Sequence, residues 1–231
     1  LNKVKYLLES VNNYFSIILT IKDVVSSWSG LRPLIKEEGK KVTEISRKDE
    51  IFVSDNGIIT IAGGKLTGYR KMAERVVDIV IKAKNHKSFN KCITSNIKLY
   101  ESENLNQIKK QIFSYLLKNQ HSKDQVVLLY DIYGENVKEI IKISKTLKSF
   151  SKVNAIIISE FIYCFENEMC QKLLDFFSQR TGRVYFEIEK VSDQVQIIKE
   201  AYKKLKGISE KEFDLERVEL KSYINSITTF I

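Results

Sequence analysis

Apolar residues recur along this chain at two spacings, one near three and a half residues and one of two. The first is clearest in the stretch 69–80, where Tyr69, Met72, Ala73, Val76, Val77 and Val80 share one face and Arg70, Lys71, Glu74, Arg75 and Asp78 take the other. That split predicts an amphipathic helix. Val4, Leu7, Leu8, Val11, Tyr14 and Phe15 repeat it near the start and predict a helix over 4–15. Short apolar runs at 51–53 and 58–61 predict strands. Asn56-Gly57 between them predicts a two-residue hairpin turn with both residues at positive φ.

Beyond residue 105 the pattern is mostly helical, with helices expected near 105–119, 124–132, 135–147, 168–180, 193–206 and 209–228. Asp124 and Ser209 are candidate N-caps, Glu212 completes a capping box with Ser209, and Gly182 is a candidate C-cap. The stretch 153–165 is apolar and β-branched, and its pattern fits a strand or a buried helix. Residues 28–34 read as irregular, fixed by Gly30 and Pro33, and 36–43 as a charged surface loop. The stretch 85–104 is polar and weakly patterned, which places a domain boundary near Lys87. The expected architecture is mainly α (α+β): domain 1–87 carries a small antiparallel β-hairpin, and domain 88–231 is a C-terminal helical domain. There is no internal repeat.

Composition narrows the class. With 43% apolar and 29% charged residues in 231, the composition is that of an ordinary soluble globular protein, long enough for one large domain or two small ones. No apolar run approaches the roughly 18 residues that span a bilayer. No signal peptide opens the chain, and a start at Leu1 is expected of a piece of a longer protein. The net charge of +9 is spread along the sequence. It fits a lysine-rich solvated surface first and steering of an anion second. Nucleic-acid binding is not expected, because no basic cluster interleaves with aromatics. Cys92, Cys164 and Cys170 lack CxxC spacing and are expected to be buried free thiols of a reducing, cytoplasmic compartment. His86 and His121 sit in polar contexts and are expected at the surface. No metal-ligand set and no nucleophile–base constellation is present.

The segment that carries chemistry is ITIAGGKLTGYR, residues 59–70. A strand ends, two glycines turn the chain, and a helix begins. Amides at a helix start are unpaired and carry partial positive charge, so an anion or an electron-rich carbonyl can dock there, and Lys65 adds a full charge. A plain strand–turn–helix junction is the commoner meaning of such a pattern, and neither a P-loop nor GxGxxG is present. Arg32, next to Pro33 in SGLRPL, and Arg47, in ISRKDE, can each present a fixed guanidinium fork to a phosphate. Each is also what an ordinary surface cation looks like.

The stretch SSWSGLRPLIKEEGKKVTEISRKDEIFVSDNGIITIAGGKLTGYRKMAERVVD resembles the FAD-dependent glycerol-3-phosphate dehydrogenases of bacteria. YLLESVNNYF, LTIKDVVSSW and YGENVKEI are similar to the same family, and ENEMCQKLLDFFSQRTGRVYFEI resembles its C-terminal helical domain. The resemblance covers almost the whole chain and is most specific in the first 90 residues.

It implies an enzyme that oxidises sn-glycerol 3-phosphate to dihydroxyacetone phosphate, reduces FAD, and passes electrons to quinone as a peripheral protein at the inner face of the cell membrane. On this reading Gly63, Gly64, Lys65, Leu66 and Thr67 contact the flavin, while Arg32, Arg47 and Lys65 gather the substrate phosphate. No catalytic residue is implied in this chain. The missing dinucleotide fingerprint means that the FAD adenosine diphosphate would be held by other sequence. Ser29 replaces a frequent Ala, and Gln179 replaces a frequent Arg, which puts any role of that helix end in doubt. Oxidases of the superfamily carry a long insertion between the two arginine motifs. Here 13 residues separate Pro33 from Arg47, which implies a quinone-linked dehydrogenase. The alternatives are an oxygen-using glycerophosphate oxidase and a helical interaction module without an active site. The piece alone is expected to be inactive and free of FAD, and its exposed sheet edge is a route to oligomers.

Overall fold

The structure, a computed structural model, describes residues 2–30, 49–84, 89–97, 105–119 and 121–229. It divides into two compact units, Ser29–Ser102 on one hand and Leu1–Trp28 with Glu103–Ile231 on the other. This division differs from a break near Lys87. The first 28 residues group with the C-terminal helices, because Ser26, Ser27 and Trp28 are bonded to them.

In the unit Ser29–Ser102, β1 (Asp49–Val53) and β2 (Ile59–Gly63) pair antiparallel, from Asp49 opposite Gly63 to Val53 opposite Ile59. Both strands run past the expected ends, and the connection differs from the expected one. Ser54 N–H donates to the Ile58 carbonyl at 3.0 Å, and Gly57 N–H donates to the Ser54 carbonyl at 2.8 Å. The loop is therefore three residues, and only Gly57 (φ 84°) has positive φ. Asn56 instead turns its carboxamide oxygen to the Ser54 hydroxyl, 2.5 Å away. A type I turn closed by a left-handed glycine satisfies the strand twist as well as a two-residue loop does. A 3₁₀ turn (Leu66–Gly68) then leads into α2 (Tyr69–Ala83), the expected amphipathic helix. Asp49 of β1 ion-pairs with Arg75 of α2 and ties the hairpin to it.

The helical unit opens with α1 (Asn2–Phe15), which buries none of its residues. It continues with α3 (Leu105–Lys118), α4 (Lys123–Tyr133), α5 (Val137–Ser144), α6 (Lys152–Asn167), a π-helical turn (Asp175–Arg180), the short α7 (Arg183–Phe186), α8 (Ile188–Lys206) and α9 (Glu210–Thr228). The ambiguous stretch 153–165 is thus helix. Ser151 caps it, its hydroxyl accepting from Asn154 N–H at 3.2 Å. Packing against α5, α8 and the π-helical turn explains why its apolar residues surround the axis instead of marking one face. Ser209 and Glu212 form the expected capping box. On α4 the cap is Ser122, boxed with Gln125, and Asp124 lies one position inside the first turn. The helix expected from 168 starts late, because Met169 has positive φ (53°) and the Asp175 carboxylate accepts from the amides of Gln171 and Lys172, each at 2.9 Å. Gly182, left-handed at φ 65°, ends the π-helical turn and starts α7.

The core of this unit is aromatic at its centre: Phe161, Phe176, Phe177, Tyr202 and Phe213 are fully buried. Embedded in it is a polar network. Glu160, at the middle of α6, receives Arg183 Nη2 at 2.5 Å on one oxygen and the Tyr133 hydroxyl at 3.0 Å on the other. Tyr133 lies 3.2 Å from Cys164 Sγ, and Arg183 Nε lies 3.5 Å from Glu187. Burial works against the Arg183 charge, but the Glu160 carboxylate more than offsets it and raises the guanidinium pKa. Burial, reinforced by Glu160, pushes the Tyr133 phenol far up and keeps it the donor. A cavity of about 50 Å³ beside the pair is lined by His121, Gln194, Glu187 and apolar residues of α3, α4 and α6.

Two expectations about single side chains change. His121 is buried, because it closes the α3–α4 corner with its amide on the Leu116 carbonyl at 3.2 Å; His86 lies outside the described residues. Cys164 and Cys170 are buried free thiols, the latter pushed up to about 12 by burial, but Cys92 is exposed.

Arg183→Met strands the Glu160 carboxylate in the core and should cost about 3–5 kcal/mol of stability, measured by urea unfolding. Adding Glu160→Leu should recover part of that loss, because no buried charge then remains. Burial lowers the His121 pKa from its ordinary 6.5. The neutral ring is favoured in the fold, so this contribution is complete above pH 6.5 and is lost as the pH falls from there through the folded value. Thermal unfolding at pH 7.5 and 5.5 should show a larger loss for the native sequence than for His121→Gln.

Candidate functional site

The glycine turn after β2 is built by its two neighbours. Pairing of Asp49 with Gly63 holds the end of the strand, and α2 stands behind it. Gly63 and Gly64 have φ of 77° and 76°, a region that ordinary side chains resist. A Cβ on Gly64 would come within 2.9 Å of Met72 Sδ and 3.1 Å of Asp49 Cβ. Glycine at 64 is therefore already required by the close approach of hairpin and helix. Gly63 is exposed.

Lys65 follows in extended conformation (φ −112°, ψ 147°), and its carbonyl accepts from Gly68 N–H at 2.8 Å. Lys65, Leu66 and Thr67 are all exposed, Leu66 at 90%. The amides of Leu66 and Thr67 donate to no backbone carbonyl outside their own turn among the described residues. They precede the 15-residue α2, so the positive end of that helix and the Lys65 ammonium belong to one turn whose residues 65–67 are exposed. Such a place accepts an anion or the electron-rich edge of a heterocycle. The rest of α2's first turns is engaged elsewhere. Arg70 binds Glu74 at 2.8 Å and Thr94 Oγ1 at 3.1 Å, and hydrogen bonds from Lys71 and then Arg70 lower the Glu74 pKa.

The structure thus brings Gly63, Gly64, Lys65, Leu66 and Thr67 together on one turn. Arg32 and Arg47 lie outside the described residues. Sequence reasoning missed two groups in the helical unit. One is the Arg183–Glu160 pair, whose signal was a glutamate inside an apolar run. The other is the set of bonds made by residues 26–28, whose signal was the sole tryptophan of the chain. Gln179, the departure at the end of the π-helical turn, is exposed.

A family model described as the C-terminal domain of alpha-glycerophosphate oxidase matches residues 92–213. The chain is 42% identical over 199 residues to an aerobic glycerol-3-phosphate dehydrogenase of Bacillus subtilis (strain 168), covering 79% of this chain and 35% of that protein. It is 34% identical over 234 residues to the protein of the same name from Staphylococcus saprophyticus, covering 97% of this chain and 42% of that one. A solved structure, the glycerol-3-phosphate dehydrogenase from Bacillus halodurans complexed with FAD, superposes with a TM-score of 0.76 and 32% identity over 99% of this chain and 45% of that chain. The chain therefore spans less than half the length of these relatives.

Gly64→Val tests the geometry of the turn. The Met72 thioether can move aside, but the left-handed backbone cannot, so roughly 1–2 kcal/mol of local stability should be lost. Amide exchange in β2 and early α2 should accelerate, and Met72→Ala should restore little of it. Unchanged exchange would mean that position 64 does not need a glycine.

Proposed function

Because this chain belongs to the family described as the C-terminal domain of alpha-glycerophosphate oxidase, we propose that it is the C-terminal portion of an FAD-dependent glycerol-3-phosphate dehydrogenase. The carrying observation is the Gly63–Thr67 turn, with two left-handed glycines and an exposed lysine ahead of a helix start. Its residues fit the pyrimidine edge of a flavin. Gly63 allows close approach, the Leu66 and Thr67 amides face an electron-rich carbonyl, and Lys65 balances charge. FAD, when bound, would take a hydride from C2 of sn-glycerol 3-phosphate as the hydroxyl proton leaves, giving dihydroxyacetone phosphate.

The chain's own share is binding and orientation. Arg32 and Arg47 offer planar forks to the phosphate dianion, and Lys65 offers a point charge that serves both phosphate and flavin edge. No residue of this chain is assigned as the base. The grip on the FAD adenosine diphosphate belongs to sequence that this chain does not contain, since no dinucleotide fingerprint occurs in it. By itself the chain should purify without flavin absorption and without turnover.

Quinone is the proposed acceptor, supported by the short Pro33–Arg47 spacing and by relatives named as dehydrogenases. Delivery to quinone is proposed to be made by a cytoplasmic enzyme docked at the inner face of the cell membrane, as the family resemblance implies; no helix among the described residues is long and apolar enough to cross a membrane. The oxidase reading keeps one support, the description of the matching family.

One assay of the full-length polypeptide separates these readings. With glycerol 3-phosphate, dye reduction should proceed with little hydrogen peroxide; peroxide at the rate of dye reduction would assign the oxidase reaction. Arg32→Ala removes charge-assisted hydrogen bonds worth about 1.5–3 kcal/mol each. It should lower kcat/KM roughly 10- to 200-fold for glycerol 3-phosphate and much less for glycerol. An equal loss for both substrates would show that Arg32 does not read the phosphate.

A further inference from the structure

The helical unit carries a basic pocket between the end of α3, the end of α5 and the start of α6. Its volume is about 340 Å³, and its charged lining consists of Lys145, Lys148 and Lys152, with no aspartate or glutamate among the described residues. Lys145 follows α5, with its ammonium 4.9 Å from the centroid of the Tyr115 ring. Lys148 lies in the connection to α6, and Lys152 is the first residue of that helix. Other lysines of this unit reach a carboxylate: Lys172 pairs with Glu219, Lys203 with Glu210 and Lys206 with Glu216. None of the three pocket lysines forms an ion pair among the described residues. Like charges gathered around one hollow repel, and a bound anion relieves that repulsion.

Two further observations point to the same chemistry. The 16-residue α6 starts at the pocket, and its N-terminus adds partial positive charge beside Lys152. The Ser151 hydroxyl answers one of its first amides, that of Asn154. His121 also lines the pocket. It is only 7% exposed, and its ring makes no hydrogen bond or ion pair among the described residues. A buried imidazole without a protein partner leaves a hydrogen bond unmade, and a ligand in the pocket supplies one.

We propose that this pocket binds the phosphate group of a phosphomonoester. Such a group carries about two negative charges and three acceptor oxygens at neutral pH, which suits several separate donors. A carboxylate has one charge and two oxygens, and would leave most of the positive charge unanswered. The volume falls near the lower end of small-molecule pockets, roughly 300–1,000 Å³. Leu147, Phe150 and Ile156 add apolar lining for the carbon part of the ester. A soluble phosphomonoester and the headgroup of phosphatidic acid share this chemistry.

The test titrates inorganic phosphate into this chain at fixed pH and constant ionic strength, so that general screening stays the same. The readout is the NMR signal of the His121 ring. The chain has two histidines, and His86→Gln assigns them. The His121 signal should shift and saturate. Lys148→Glu and Lys152→Glu alter exposed side chains, and each should weaken phosphate binding roughly 10-fold or more, the loss of a charge-assisted hydrogen bond. Lys211→Glu, an exposed position on α9 outside the pocket, makes the same change in net charge and should leave binding unaltered. Sedimentation with phosphatidylcholine vesicles, with and without phosphatidic acid, separates the two sources. Phosphate binding without vesicle binding assigns a soluble ester. Vesicle binding that needs phosphatidic acid and falls with Lys148→Glu assigns the lipid headgroup. Either result upholds the phosphate site. It is overturned if neither probe binds, if acetate shifts the His121 signal as well as phosphate does, or if Lys211→Glu weakens binding as much as Lys148→Glu.

Discussion

The helical unit depends on keeping one charged carboxylate satisfied at the centre of an apolar bundle. Glu160 lies in the middle of α6, fully buried, in a helix whose other inward residues are mostly alanine, isoleucine, phenylalanine, tyrosine and cysteine. Left alone there, a carboxylate would cost several kcal/mol. Its two oxygens are answered from two directions, by Arg183 at the start of α7 and by Tyr133 at the end of α4. These directional bonds join elements that apolar packing would leave free to slide. The pair is weak as net stabilisation and strong as specification, since any other register strands a buried charge.

The consequences run outward from Arg183. Its place requires α7 to begin where it does, and the left-handed Gly182 turns the chain there from the π-helical turn. Two residues on, half-buried Tyr185 packs at the edge of the core and receives Trp28 and Ser26. The same four-residue helix thus carries the buried end of the polar network and the surface to which residues 26–28 are fastened. α8 and α9 are clasped by Lys203 to Glu210 at 2.8 Å and Lys206 to Glu216 at 2.6 Å, and α9 supplies the Ile227 carbonyl and the Tyr223 hydroxyl that complete the fastening.

The smaller unit solves a different problem with fewer atoms. A hairpin of two strands is marginal by itself, and here the Asp49–Arg75 ion pair and the Gly64–Met72 approach hold it to α2. That closeness places two left-handed glycines ahead of the helix. The same glycines therefore serve packing and the proposed flavin contact, and a defect in either would look alike in an assay of flavin content alone.

Period and punctuation by themselves determined a good deal. The 3.6-residue stripe of α2, the Ser209–Glu212 box, the strand pair and the glycine turn with its row Gly63–Thr67 are local facts, set by residues a few positions apart, and all were legible in the sequence. So was the family, because the arginine-proline and double-glycine motifs are short and specific. Tertiary structure alone decided whatever depends on distant partners. Only burial on every side could make 153–165 a helix, since an apolar run carries no face of its own. Only packing could bury His121, whose neighbours in sequence are polar. The hairpin took a three-residue loop because the Ser54–Ile58 pair closed one step earlier than the Asn-Gly signal suggested. The union of Glu160 with Arg183 and of Trp28 with Tyr185 crosses 23 and 157 positions of chain, and no spacing rule reaches that far.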